Sequence, residues 1–149
     1  MIKEGKLTKI NYGNMKEEER KIMKVLNHYG SKLKEDMYEY NRYDAYNNTS
    51  IVEIKYRHTF YDNTMIELDK YSYNLVYSKL INKKFIYAVR MEQYIYVFNI
   101  TELTKNNYDF KFGDRQMPKT TEHKRKDMIK KVVGYININD AIIKFRVFN

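Results

Sequence analysis

Three charged residues near the middle of the chain, Asp44, Glu53 and Lys55, have types and spacing that suit chemistry on a phosphodiester. Glu53 and Lys55 are two residues apart, so on a β-strand both side chains point to the same face. Two neighbouring carboxylates repel each other unless a cation lies between them. A hard divalent ion such as Mg²⁺ binds through one or two carboxylates plus substrate phosphate and keeps several waters. We therefore take these three residues as candidate catalytic groups at a Mg²⁺ site, with Mn²⁺ as a substitute.

A β-hairpin is predicted to bring the two carboxylates together. The stretch from Met37 to Arg57 alternates with period two on both sides of a polar turn, which is typical of two antiparallel strands. If Tyr46 pairs with Ile51 across the turn, Asp44 lies opposite Glu53, with the Cβ atoms roughly 5 Å apart. Strand geometry alone then places all three candidate groups on one face.

An amphipathic helix is predicted just before this hairpin, from Asn14 to Tyr29, with Asn14 as its N-cap and Gly30 as its stop. Acidic residues in its first turns are favoured by the helix dipole, which is sufficient reason for their presence. Glu18 and Glu19 both border the buried stripe, on opposite sides, so either one could also face the carboxylate pair.

The middle of the chain predicts a helix from Asp62 to Leu80, with Lys70 near the edge of its apolar side. The residues expected on that apolar side are Ile66, Tyr73, Val76, Tyr77 and Leu80. Two further strands follow, Phe85–Arg90 and Tyr94–Ile100, dense in β-branched and aromatic residues. A strand, a helix and another strand in that order imply a right-handed crossover, so the strand beginning at Phe85 should run parallel to the strand that carries Glu53. The expected sheet is therefore mixed.

The segment 104–131 has little apolar periodicity and is predicted to be a long basic loop, followed by a pair of C-terminal strands within 132–148. Eight basic residues against three acidic ones lie between Lys111 and Lys131. Lysine, arginine and hydroxyl side chains are common partners of nucleic-acid phosphates. The candidate nucleic-acid-binding residues are Arg57, Lys70, Arg115, Lys119, Thr120, Thr121, Lys124, Arg125 and Lys126.

Composition limits the class of protein. The 149 residues suit one domain, and the absence of cysteine excludes disulfides, thiolate metal sites and a cysteine nucleophile. With no long apolar run and no hydrophobic N-terminal stretch, we expect a soluble, cytoplasmic protein without a membrane role. A net charge of +9 favours a polyanionic partner, although an A/T-rich genome, such as that of a phage or virus, also inflates lysine. For a viral protein the expected location is the host cytoplasm.

The residues Asp44 and then Glu53-Ile54-Lys55 on the following strand resemble the signature of the PD-(D/E)XK nuclease superfamily, which includes restriction enzymes and archaeal Holliday-junction resolvases. The order of elements from residue 14 to 100 is similar to its αβββαβ core, here with extra C-terminal strands. The resemblance implies an α/β fold with a mixed central sheet flanked by helices. It also implies metal binding by Asp44, Glu53 and the main-chain carbonyl of Ile54, a catalytic role for Lys55, and a further metal ligand at Glu18 or Glu19. Tyr43 stands where the motif has proline.

Two functions follow from these observations. The first is a Mg²⁺-dependent nuclease that cuts DNA ahead of RNA, is directed by structure or only weakly by sequence, and could act as a homodimer. The second is a nucleic-acid-binding or assembly protein that keeps the fold without catalysis, its charged trio being an exposed cluster. Loss of Mg²⁺-dependent cleavage on replacing Asp44 or Lys55 would separate the two.

Overall fold

The computed structural model describes residues 15–38, 40–118 and 128–148, and it contains two β-sheets and three α-helices. The helices are α1 (Glu17–His28), α2 (Leu68–Leu80) and α3 (Ile100–Lys105). The strands are β1 (Lys34–Glu35), β2 (Ala45–Tyr46), β3 (Ser50–Arg57), β4 (Asn63–Glu67), β5 (Lys84–Met91), β6 (Tyr94–Asn99), β7 (Gly113–Pro118), β8 (Met128–Asn137) and β9 (Ile143–Arg146). A short 3₁₀ turn, Ile138–Asp140, precedes β9.

The central sheet is mixed, as predicted, with strand order β1-β2-β3-β5-β6-β9. Strands β3 and β5 are parallel, which confirms the predicted crossover, and the other neighbours in this sheet are antiparallel. Helix α1 packs on one face through Ile22, Val25 and Leu26, against Val52 and Ile54 of β3. The opposite face, which carries Ile51 and Glu53, turns toward α2 and the second sheet. The fold class predicted from the sequence is confirmed.

The second sheet has strand order β4-β8-β7 and corrects two predictions. Residues 104–131 are not one long loop, because they contain the end of α3, all of β7 and the start of β8. The C-terminal strands do not pair with each other, since β8 joins β4 and β7 while β9 adds to β6. Charged residues on a solvated hairpin leave little apolar periodicity, which is why the sequence pattern did not reveal β7.

The predicted helix from Asp62 to Leu80 is also wrong in its first turn and in its buried face. Residues Asn63–Glu67 pair with β8 as a strand, and the helix begins only at Leu68. Val76 and Leu80, expected in the core, are 59% and 78% exposed, whereas Asn74 is fully buried. The helix is turned so that Asn74 and Ser78 are buried, and Tyr71, Leu75 and Tyr77 pack against the core.

Smaller corrections concern the ends of elements. Helix α1 begins at Glu17, and Asn14 lies outside the described residues. The first hairpin strand is only Ala45–Tyr46, because Tyr38 and Tyr40 lie on an exposed loop. Ile100 starts α3 instead of ending β6.

No helix among the described residues is long and apolar enough to cross a bilayer.

Candidate metal and nucleic-acid site

Asp44 lies immediately before the start of β2, opposite Glu53 of β3. The predicted pairing of Tyr46 with Ile51 is present, and the Asp44 N–H donates to the carbonyl of Val52 over 2.9 Å. The Asp44 side chain then turns back, and its Oδ2 accepts a hydrogen bond of 2.7 Å from the N–H of Ile54. The Asp44 side chain thus provides the acceptor for Ile54 that a longer β2 would provide from its backbone. This hydrogen bond fixes the Asp44 carboxylate at the edge of β3 that β2 leaves uncovered.

Glu53 is almost fully buried, with 3% of its surface exposed. Its Oε2 accepts a 2.9 Å hydrogen bond from Nζ of Lys70, which reaches across from the first turn of α2. Its Oε1 is buried and has no hydrogen-bond partner in the described part of the chain. A buried carboxylate oxygen without a partner is costly, and a bound cation is one way to satisfy it.

Lys55 follows Glu53 on the same face of β3 and is partly buried. No hydrogen bond or ion pair to Lys55 is found within residues 15–38, 40–118 and 128–148. Lys55, Glu53 and Lys70 line one small cavity beneath the second sheet. The ammonium group is therefore available to a ligand that enters beside the carboxylates.

The electrostatics of the pair follow from burial and from mutual repulsion. Burial raises the pKa of Asp44 well above its usual value, and the neighbouring Glu53 raises it further. Burial also raises the pKa of Glu53, although the cations of Lys70 and Lys55 oppose this. Burial and the charge of Lys70 lower the pKa of Lys55. Burial alone would lower the pKa of Lys70, but pairing with Glu53 raises it above its usual value.

Of the two glutamates left open on the first helix, Glu19 is the one whose charge reaches the site. Its charge raises the pKa of Asp44 and of Glu53 and favours the charged form of Lys55. Its Oε1 accepts the N–H of Lys16 over 3.0 Å, which closes the start of α1. Glu18 instead lies 3.7 Å from Lys21 at the surface.

The donor set suits a hard cation held by few protein ligands. Among the described residues, no group of three or more histidine or acidic side chains is arranged to hold a metal. Two carboxylates are present, and the Ile54 carbonyl points to the same edge of β3 as the Ile54 N–H that binds Asp44. Oxygen ligands with remaining positions left to water and phosphate are the usual pattern for Mg²⁺. The unpartnered Oε1 of Glu53 fits such an ion.

Three of the candidate nucleic-acid-binding residues, Arg57, Lys70 and Arg115, line a groove between the two sheets. Arg57 continues the face of β3 that carries Glu53 and Lys55, and Arg115 of β7 faces it across a cavity of about 320 Å³. The remaining candidates, Lys119, Thr120, Thr121, Lys124, Arg125 and Lys126, lie outside the described residues. His58 contacts the Tyr56 ring edge to face, with centroids 5.0 Å apart, and borders the cavity away from the carboxylates.

The structure adds residues that the sequence pattern missed. Asn74 of α2 is fully buried, and its Nδ2 donates to the carbonyl of Arg42 over 3.0 Å, which ties the segment before Asp44 to the helix. Asp36 is also buried; its N–H donates to the carbonyl of Asp44, and its carboxylate accepts from Asn41. Asn74 and Asp36 are polar residues, so the sequence pattern did not indicate that their side chains are buried.

Comparison with known proteins supports the fold. No protein-family model matches the sequence, and no curated protein sequence matches it. The chain is similar in structure to Hjc, a Holliday junction resolvase of the archaeal hyperthermophile Archaeoglobus fulgidus, with a TM-score of 0.51 and 13% sequence identity. The match covers 87% of this chain and 88% of the resolvase. At this identity the likeness shows that the chain has the nuclease-like fold of that protein.

Proposed function

We propose that the protein is a metal-dependent nuclease of the PD-(D/E)XK superfamily that hydrolyses phosphodiester bonds, with DNA as the expected substrate. The observation that carries this proposal is the buried pair Asp44 and Glu53, one of whose oxygens has no partner, with Lys55 beside it. The similarity in fold to a Holliday junction resolvase supports it.

Asp44, Glu53 and the Ile54 carbonyl would hold the metal, for which Mg²⁺ is proposed and Mn²⁺ is the expected substitute. Such an ion polarises a phosphoryl oxygen and lowers the pKa of a bound water. Lys55 would orient the attacking water and offset negative charge in the transition state. A cation at Oε1 would leave Lys70 on Oε2, where the ammonium group adds positive charge beside the substrate phosphate.

The groove supplies the contacts to the rest of the substrate. Arg57 and Arg115 present guanidinium groups, which match phosphate geometry in a bidentate manner. We also propose that the basic residues between 119 and 126 bind the nucleic-acid backbone. Cutting two strands of a branched duplex needs two sites, so a homodimer is the proposed assembly for that substrate.

The test is a cleavage assay on duplex, forked, four-way and single-stranded DNA and on RNA, each with Mg²⁺, Mn²⁺, Ca²⁺ or chelator. We expect cleavage with Mg²⁺ and Mn²⁺ only, and a loss of at least about 100-fold in Glu53→Gln and Lys55→Ala. Binding in Ca²⁺ should persist in both variants. Glu102→Gln is the matched control, because Glu102 also pairs with a lysine but on the surface, 3.1 Å from Lys84.

Two outcomes would overturn the proposal. Cleavage that survives unchanged in Glu53→Gln would mean that the activity comes from elsewhere, for example a contaminant. Binding of nucleic acid by the wild-type chain without cleavage of any substrate in either metal would favour the non-catalytic binding protein.

A further inference from the structure

A second cavity lies immediately beyond the carboxylate site, between the end of β3, the start of β4 and the β7–β8 hairpin. Its volume is about 320 Å³, within the range of small-ligand pockets. Its principal walls are Arg57, Tyr61, Met65, Met91, Arg115 and Tyr135. We call it the Arg57 cavity.

The Arg57 cavity combines apolar walls with positive charge. Met65, Met91 and the rings of Tyr61 and Tyr135 offer flat or adaptable apolar surface, and the Asn63 amide offers both a donor and an acceptor. No carboxylate lines the cavity among the described residues. An anionic ligand with a planar, hydrogen-bonding ring matches this lining, and a nucleotide has both features.

The position of the cavity ties it to the substrate strand. Arg57 and Met65 line both this cavity and the smaller one that holds Glu53, Lys55 and Lys70. Arg57 is two residues beyond Lys55 on the same face of β3, a distance of about 7 Å along the strand. A strand whose phosphate lies at Lys55 therefore passes the mouth of the cavity within a few nucleotides.

Arg115 and Tyr61 are placed to hold the two parts of a nucleotide. The Arg115 guanidinium is braced by the Tyr135 hydroxyl, with 3.2 Å between Nη1 and the oxygen. Tyr61 is 57% exposed at the rim, where its ring can stack on an entering base. A base that remains paired and stacked in a duplex cannot enter a cavity of this kind.

We propose that the Arg57 cavity binds the base of one unpaired nucleotide next to the scissile phosphate, so that the preferred substrate is DNA with an unpaired nucleotide at the cut. This inference rests on the proposed nuclease function for the path of the strand. It predicts selection of bulges, flaps, branches and single strands over intact duplex. The recognised group is the base itself, in addition to the charge of the backbone.

The test measures binding in Ca²⁺, where we expect no cleavage, to a duplex with one bulged nucleotide and to the same duplex with an abasic residue in the bulge. Both have the same phosphates, so only the base differs. We expect the wild-type protein to bind the base-bearing bulge about tenfold more tightly, since one stacked base is worth about that factor. Tyr61→Ala should reduce this ratio to about one, and Tyr61→Phe should preserve it.

Lys24→Ala is the control for general loss of charge, because Lys24 is exposed on α1, on the opposite face of the central sheet. It should leave the ratio unchanged. Equal binding of the abasic and base-bearing bulges by the wild type would overturn the inference, and so would a ratio that survives Tyr61→Ala. Neither result bears on whether the protein cleaves DNA. If the wild type shows the expected binding ratio but no Mg²⁺-dependent cleavage, only the proposed nuclease function is overturned.

Discussion

The buried charge of Asp44 should lower the free energy of unfolding of the metal-free protein, so a variant without that charge should be more stable. Because burial raises the pKa of Asp44 above the usual 3.8, the folded state binds more protons than the unfolded state, and stability falls as the pH rises from about 4 through the raised pKa. Asp44→Asn keeps an acceptor for the Ile54 N–H and removes the charge. We expect it to raise the free energy of unfolding at pH 7 by about 1 kcal/mol, the usual size of a single-residue effect.

The measurement is thermal unfolding in chelator at pH 7 and at pH 4, where the gain should shrink. Asp69→Asn is the control, since Asp69 lies at the surface, 3.0 Å from Arg42, and such pairs contribute little. An Asp44→Asn variant that is less stable than wild type in chelator at pH 7 would contradict a destabilising buried charge at Asp44.

Lys70 should stabilise the metal-free protein by neutralising Glu53. Lys70→Met leaves Glu53 buried without its ion-pair partner, which costs about 1–3 kcal/mol at pH 7. Glu53 then takes up a proton more readily, so the cost should diminish as the pH falls. The double variant Glu53→Gln with Lys70→Met should recover most of the loss in denaturant unfolding. A loss that is the same at pH 4 and pH 8 would exclude this electrostatic origin.

Strand alternation made the site partly predictable at this scale. The two-residue repeat of β3 and the pairing of Tyr46 with Ile51 were sufficient to place Glu53 and Lys55 on one face and Asp44 opposite. The ion pair of Lys70 with Glu53 could not be predicted in this way, because it depends on how α2 is rotated about its axis. Packing against both sheets sets that rotation. Local spacing contains no information about that rotation.

At the scale of elements, the second sheet is held against α2 by an aromatic cluster that leaves no room beside Gly134 of β8. A Cβ at Gly134 would lie 2.7 Å from the Phe112 ring and 3.0 Å from Cβ of Phe110. Gly134→Val should therefore cost about 1–3 kcal/mol through overpacking. Gly113→Val in β7 is the control, because nothing lies within 4 Å of a Cβ there.

The measurement is denaturant unfolding of both variants, together with binding of DNA in Ca²⁺. Because Arg115 and Tyr135 depend on the β7–β8 hairpin, Gly134→Val should also weaken DNA binding. Equal stability of the two variants would show that the cluster tolerates the side chain.

Period and charge explain which elements the sequence could reveal. Strands β5 and β6 are continuous apolar runs and were predicted nearly to their ends. Strand β4 was predicted as a helical turn because Ile66 fits both periods, and only its pairing with β8 decides the matter. Strand β7 contains Asp114, Arg115 and Gln116, and these polar residues show no strand pattern in the sequence. Only the pairing of β7 with β8 identifies it as a strand.

At the scale of the whole molecule, a net charge of +9 predicts salt-dependent binding of nucleic acid, and the groove predicts which cations contribute. Arg115→Ala should lower the slope of log K against log salt concentration by about one unit. Lys130→Ala should change the slope less. Lys130 is exposed on β8, and its neighbour Lys131 lies 3.5 Å from Glu67. Because adjacent residues of a strand point to opposite faces, Lys130 projects away from the face that carries Lys131. Equal slopes for the two variants would mean that the groove is not the binding surface.

The most direct test of the central claim is Mn²⁺ binding to the free protein, measured by electron paramagnetic resonance of the unbound ion. The wild type should take up the ion, Glu53→Gln and Asp44→Asn should each lose most of that uptake, and Glu102→Gln should retain it. Uptake that is unchanged in both Asp44→Asn and Glu53→Gln would contradict a metal site at the buried carboxylate pair.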